Sequence, residues 1–237
     1  MTLLRSLLLS LALVFSTGTV AVFQDFERGL GAYQDGDYAT ALQEWRPLAE
    51  QGVAQAQYNL GLMYDNGWGV PQDYQEAVKW FRLAAEQGDA LAQYNLGTIY
   101  INGSGVLQEY QEAAKWFRLA ADQGLAEAQN SLGQMYRNGL AFSKDDQKSV
   151  SWYRLAAEQG LAIAQFNLGV MFYDGRGVPQ DRIIAHMWFN IASTNGYADA
   201  GAIRDIISEL MSSADISKAQ SMARQCMASN YEDCGGE

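Results

Sequence analysis

Small and apolar side chains return along residues 53–196 on a fixed frame of 36 positions. Counted from Val53, column four is Ala56, Ala92, Ala128 and Ala164, column eight is Leu60, Leu96, Leu132 and Leu168, and column eleven is Met63, Ile99, Met135 and Met171. Spacings of four and three put them on one stripe at helical period, so each block opens with an amphipathic helix. Its stop is Asn66-Gly67, Asn102-Gly103, Asn138-Gly139 and Asp174-Gly175, where glycine can turn left-handed. A second helix follows; in the first block Pro71 marks its start, and Asp73 can cap the free amides of its first turn. It carries the large side chains Trp80, Trp116, Trp152 and Trp188, expected to be buried between layers. Column nine is glycine throughout (Gly61, Gly97, Gly133, Gly169), which inside a helix costs about 1 kcal/mol and implies that a neighbouring helix approaches its backbone closely.

The frame divides the chain into blocks 53–88, 89–124, 125–160 and 161–196. Upstream, 22–52 reads as a shortened capping unit, with Asp37-Tyr38-Ala39 paralleling Asp73-Tyr74-Gln75. Downstream, 197–237 opens a further unit in which Arg204 and Asp205 replace the leucine and glycine columns, so both ends are atypical repeats that cap the array. Block three has Leu140-Ala141-Phe142-Ser143 where its neighbours have Gly-Val-Pro-Gln or a close variant, which leaves the shape of that loop open.

The segments 56–64 (Ala-Gln-Tyr-Asn-Leu-Gly-Leu-Met-Tyr), 66–74 (Asn-Gly-Trp-Gly-Val-Pro-Gln-Asp-Tyr) and 77–85 (Ala-Val-Lys-Trp-Phe-Arg-Leu-Ala-Ala), with copies in three later blocks, resemble Sel-one-like repeats, relatives of tetratricopeptide repeats. The resemblance implies an all-α fold, a right-handed α-solenoid of antiparallel helix pairs, working as a protein-interaction scaffold of the bacterial envelope or exterior. It also brings an enzyme alternative, since some extracytoplasmic relatives are linked to β-lactam or cell-wall hydrolysis.

Composition narrows the partners. A net charge of −11 disfavours nucleic acid, whose binding relies on lysine and arginine displacing counterions, and disfavours an anionic membrane surface. Residues 1–21 read as a secretory signal: Arg5 in a charged head, an apolar stretch at 7–15, then Thr19-Val20-Ala21 with cleavage after Ala21. The apolar run is shorter than the roughly 20 residues of a membrane-spanning helix, so the mature form is expected free of the membrane, periplasmic or secreted. In an oxidising compartment Cys226 and Cys234 are expected to pair.

Catalytic chemistry is scarce. The chain holds one histidine, His186, in a column otherwise filled by Val78, Ala114 and Val150, and it reads as a packing residue. No serine is followed three residues on by lysine, as serine hydrolases of penicillin-binding type require. Gly67-x-Gly69 and its copies recur as turns and lack the lysine of a phosphate loop. No catalytic residue, cofactor or metal site is expected.

The remaining clue is a face. Columns three, six, ten and thirteen of the first helix vary while their neighbours stay fixed, and they lie nearly opposite the core stripe, on what should be the concave side. They include Tyr58, Leu62, Leu91, Tyr94, Ile101, Arg137, Ile163, Phe166, Val170 and Tyr173. Two readings stand: anchors for a peptide or protein partner, or packing between successive first helices.

Overall fold

In the computed structural model, which describes residues 17–232 and 234, with side chains from residue 22, the described residues form twelve helices and no strand. They are α1 (Thr17–Gln34), α2 (Tyr38–Glu50), α3 (Ala54–Asn66), α4 (Tyr74–Glu86), α5 (Ala90–Asn102), α6 (Tyr110–Asp122), α7 (Ala126–Asn138), α8 (Asp146–Ala157), α9 (Ala162–Asp174), α10 (Arg182–Thr194), α11 (Ala200–Ser208) and α12 (Ser213–Ala228). The export-signal reading lies outside the described residues up to residue 16, and Ala21 falls within α1. The chain divides between Gln87 and Gly88 into two compact units.

In the first unit α1 pairs with α2, α2 packs on α3, and α3 pairs with α4. In the second, the pairs α5–α6, α7–α8 and α9–α10 pack in succession, and α11 and α12 both lie on α10. This is the all-α solenoid architecture of consecutive helix hairpins. Every first helix of the four blocks stops at a left-handed glycine, Gly67, Gly103, Gly139 or Gly175. Asp73 caps α4 by accepting from the amides of Gln75 and Glu76.

What comes close to the column-nine glycines is a ring of the second helix. A Cβ on Gly61 would sit within 3 Å of the Phe81 ring, and the same holds for Gly97 with Phe117, Gly133 with Tyr153 and Gly169 with Phe189. Each ring is buried, so these residues, more than the tryptophans beside them, fill the space within a hairpin. Trp80, Trp116 and Trp188 are buried as expected, but Trp152 is not. It is half-buried within α8, and the Arg118 guanidinium lies 4.8 Å from the centre of its ring.

Within each unit a buried glutamine joins successive helix pairs. Gln57 Nε2 donates to the Ala49 carbonyl (3.0 Å), Gln129 to Ala121 (3.4 Å) and Gln165 to Ala157 (3.1 Å). These carbonyls lie in the last turns of α2, α6 and α8 and also accept from the amides of Gly52, Gly124 and Gly160, so the glutamine adds a second donor at the end of the preceding helix. The glutamine oxygen in turn accepts from the end of its own repeat: Gln87 to Gln57 (2.7 Å), Gln123 to Gln93 (2.8 Å), Gln159 to Gln129 (2.8 Å) and Asn195 to Gln165 (2.9 Å).

Block three keeps the loop shape of its neighbours despite its sequence. Ala141 takes φ 60° where Gly69, Gly105 and Gly177 have 70°, 70° and 72°, and Phe142 stacks on Tyr136 at 4.4 Å. At the C-terminus α10 exchanges polar for apolar residues to receive α12. Met187 and Ile191 are fully buried, whereas Lys79, Lys115 and Ser151, and Leu83, Leu119 and Leu155, are exposed at the same columns. Cys226 and Cys234 are bonded, and the loop they close returns Tyr231 to Asn195, whose side-chain amide donates to the phenol oxygen at 2.8 Å.

The ring contact predicts opposite effects for two helical glycines of the first unit. Gly61→Ala should cost about 1–3 kcal/mol by overpacking, whereas Gly31→Ala, with nothing within 4 Å of the added carbon, should be neutral or stabilising. Urea melts of both variants check this; equal effects would contradict the contact.

Candidate functional site

The variable face of the first helices is partly packing and partly open. On α5 and α9 the column-six rings lean on the hairpin's own aromatic: Tyr94 lies 5.7 Å from Phe117, and Phe166 lies 5.3 Å from Phe189 and 4.6 Å from Tyr197. In the first unit Tyr58 does the same with Phe81 at 5.9 Å, and Leu62 is half-buried. The packing partner is thus the second helix of the same repeat. Val170 and Tyr173 are half-buried against the core of the second unit, and Ile101 is half-buried. Leu91 and Ile163, at column three, are 47% and 36% exposed. In α7 the same face turns polar: Asn130 is buried and accepts from Asn167 at 2.9 Å, and Arg137 is half-buried at the helix end.

Around Arg137 the structure gathers residues that sequence reasoning passed over. Arg176, in the loop before α10, binds Asp146 through two nitrogens (2.7 and 3.3 Å) and donates to the Arg137 carbonyl at 3.5 Å. Beneath lie Tyr153 and Ser149, one turn apart on α8 and both fully buried, neither hydroxyl having a hydrogen-bond partner. Burial raises the Tyr153 pKa, and the positive charges of Arg137 and Arg176 draw it partway back. The signal was a departure from the repeat: serine for alanine and tyrosine for phenylalanine in two otherwise fixed columns.

One Ser–His contact occurs among the described side-chain hydrogen bonds. His186 Nε2 lies 3.1 Å from Ser208 Oγ, and that hydroxyl also lies 2.9 Å from the Arg204 carbonyl, to which it can donate. His186 Nδ1 has no orienting partner, and the ring is 1% exposed. No group of three or more metal-ligating side chains occurs among the described residues.

The model of the Sel1 repeat matches residues 54–89, 90–125, 126–161 and 162–197. No curated protein is found similar to the chain. Among solved structures it is similar to c5321, a protective antigen present in uropathogenic Escherichia coli strains that displays an SLR fold, with 35% identity and a TM-score of 0.77 over 92% of this chain and 47% of that one. The chain therefore spans about half the length of that relative. A Sel1 repeat protein from Oxalobacter formigenes is similar at 33% identity and a TM-score of 0.69, over 74% of this chain and 72% of that one. Proteins of Sel1 repeats generally serve as protein–protein interaction scaffolds, and the fold is typically non-enzymatic.

Burial, then the Arg204 charge, lowers the His186 pKa below its ordinary 6.5. The unfolded chain therefore takes up the proton first, and stability contributed by the neutral ring is present above about pH 6.5 and lost as pH falls below it. His186→Val, which restores the residue of Val78 and Val150, should remove up to about 1.4 kcal/mol per pH unit of that acid sensitivity. Chemical melts between pH 7.5 and 5 compare the two; parallel pH profiles would refute it.

Proposed function

The chain belongs to the Sel1 repeat family, and on that premise we propose that it is an exported scaffold, periplasmic or secreted, that holds a peptide or protein partner on the first-helix face of α5, α7 and α9 and catalyses no reaction. The carrying observation is the exposure of Leu91 and Ile163 beside half-buried Tyr94 and Phe166. Core packing leaves Tyr94 and Phe166 half-buried and Leu91 and Ile163 exposed next to them. Aromatic and aliphatic anchors of this kind supply most interface energy once a partner covers them. Tyr58 and Leu62 on α3 are proposed as partner contacts within the first unit.

Export is supported by the leader-like residues 1–21 and by the Cys226–Cys234 bond, since disulfides persist mainly in oxidising compartments. In this reading cleavage after Ala21 leaves 22–52 as the N-terminal cap, 53–196 as the working repeats and 197–237 as the C-terminal cap. No helix among the described residues is long and apolar enough to cross a membrane. The excess negative charge argues against nucleic acid as the partner. The non-catalytic part is supported by the burial of His186, whose Nδ1 has no partner to orient it as a base.

Leu91→Asp combined with Ile163→Asp should lower partner capture from envelope extracts by at least roughly tenfold. Because both side chains lie outside the core, the melting temperature should stay unchanged. Undiminished capture would move the site elsewhere.

A further inference from the structure

Block three breaks the repeat at several positions that the fold brings together. One column reads Ala77, Ala113 and Ala185 but Ser149, and another Phe81, Phe117 and Phe189 but Tyr153; beside them the variable column of Asp65, Ile101 and Tyr173 holds Arg137. Alanine and phenylalanine serve the same backbone elsewhere, so packing does not require the two hydroxyls. Buried without partners, each carries its full desolvation cost. Natural proteins keep such departures mainly where they function.

Charge at the spot is also uneven. Arg137, Lys144 and Arg176 act on Asp146, and Asp174 acts on Arg176, leaving one positive charge in excess within a chain of −11. Asp146 is occupied by Arg176, whereas Arg137 forms no salt bridge among the described residues. Its guanidinium stands beside the Tyr153 phenol at the exposed end of α7.

We propose that Arg137, Arg176, Tyr153 and Ser149 form a carboxylate-recognition subsite, which takes an acidic side chain or the terminal carboxylate of a peptide lying on the first-helix face. It rests on the scaffold reading and gives that partner its chemistry. The carboxylate accepts from the Arg137 guanidinium and the Tyr153 hydroxyl, while Ser149 donates to the Tyr153 oxygen; both buried hydroxyls then have partners. A single excess charge suits a monoanion better than a dianionic phosphate, which would also face Asp146 and Asp174.

The test titrates isotope-labelled protein with N-acetylaspartate amide, with N-acetylleucine and with the neutral N-acetylasparagine amide, following the Arg137 and Arg176 Nε–H and Tyr153 ring signals. Saturable shifts are expected with either carboxylate and none with the neutral probe; the tighter carboxylate identifies side chain or chain end as the source. Arg137→Gln should abolish the shifts. Tyr153→Phe and Ser149→Ala, which install the residues of the other repeats, should raise the melting temperature while weakening the carboxylate by roughly tenfold. Absence of saturable shifts, or shifts that persist unweakened in Arg137→Gln or Tyr153→Phe, would overturn the subsite. The probes carry no pair of apolar anchors, so this outcome is independent of the Leu91 and Ile163 capture result.

Discussion

In each of the four repeats an aromatic ring lies on a glycine, and the separation of the paired helices follows from that contact. Gly61, Gly97, Gly133 and Gly169 have no Cβ because Phe81, Phe117, Tyr153 and Phe189 occupy its place. A ring clasped on one side by glycine offers its other side to column six, and in three repeats an aromatic residue takes it. The face outside the core thus becomes apolar as a by-product of how the core is closed, and columns three and ten are free to vary upon it. In block three the same ring carries a hydroxyl and column six is Asn130, so one local change turns the face polar.

A second constraint runs between repeats. The carbonyls of Ala49, Ala121 and Ala157, in the last turns of α2, α6 and α8, each accept a backbone amide from the turn that follows and have a second lone pair to offer. The column-five glutamine of the following repeat donates to it, and a glutamine or asparagine at the end of its own repeat orients that glutamine. The relay needs an ending. Asn195 provides it by bonding both Gln165 and Tyr231, and the disulfide holds Tyr231 in reach. The burial of Met187 and Ile191 under α12 closes the apolar side of the same end.

The fold was legible because its determinants repeat: four copies of an alanine, leucine, methionine stripe and a glycine stop speak louder than any local propensity. The disulfide was legible because the chain has two cysteines, and the packing role of His186 because its column is filled by Val78, Ala114 and Val150 in the other blocks. Less visible was the meaning of each column. Trp152 resembles Trp80, Trp116 and Trp188 in sequence, yet it alone of the four is half-buried, with the Arg118 guanidinium over its ring. Tyr94 and Phe166 vary with Tyr58 and Asn130 and looked free of the core, because a helical wheel cannot show a ring on the partner helix. The glutamine relay and the Ser149–Tyr153 pair were present as a conserved polar column and a broken apolar one, and comparison between blocks could have found both.

The account stands or falls on which surface meets the partner. Photo-crosslinking amino acids placed at Leu91 and Ile163 on the first helices, and at Leu119 and Leu155 on the second, sample two exposed apolar faces of the same unit. Expressed in the native envelope, the first pair should yield a common crosslinked partner by mass spectrometry and the second pair none. A partner captured from Leu119 and Leu155 but not from Leu91 and Ile163 would contradict the account.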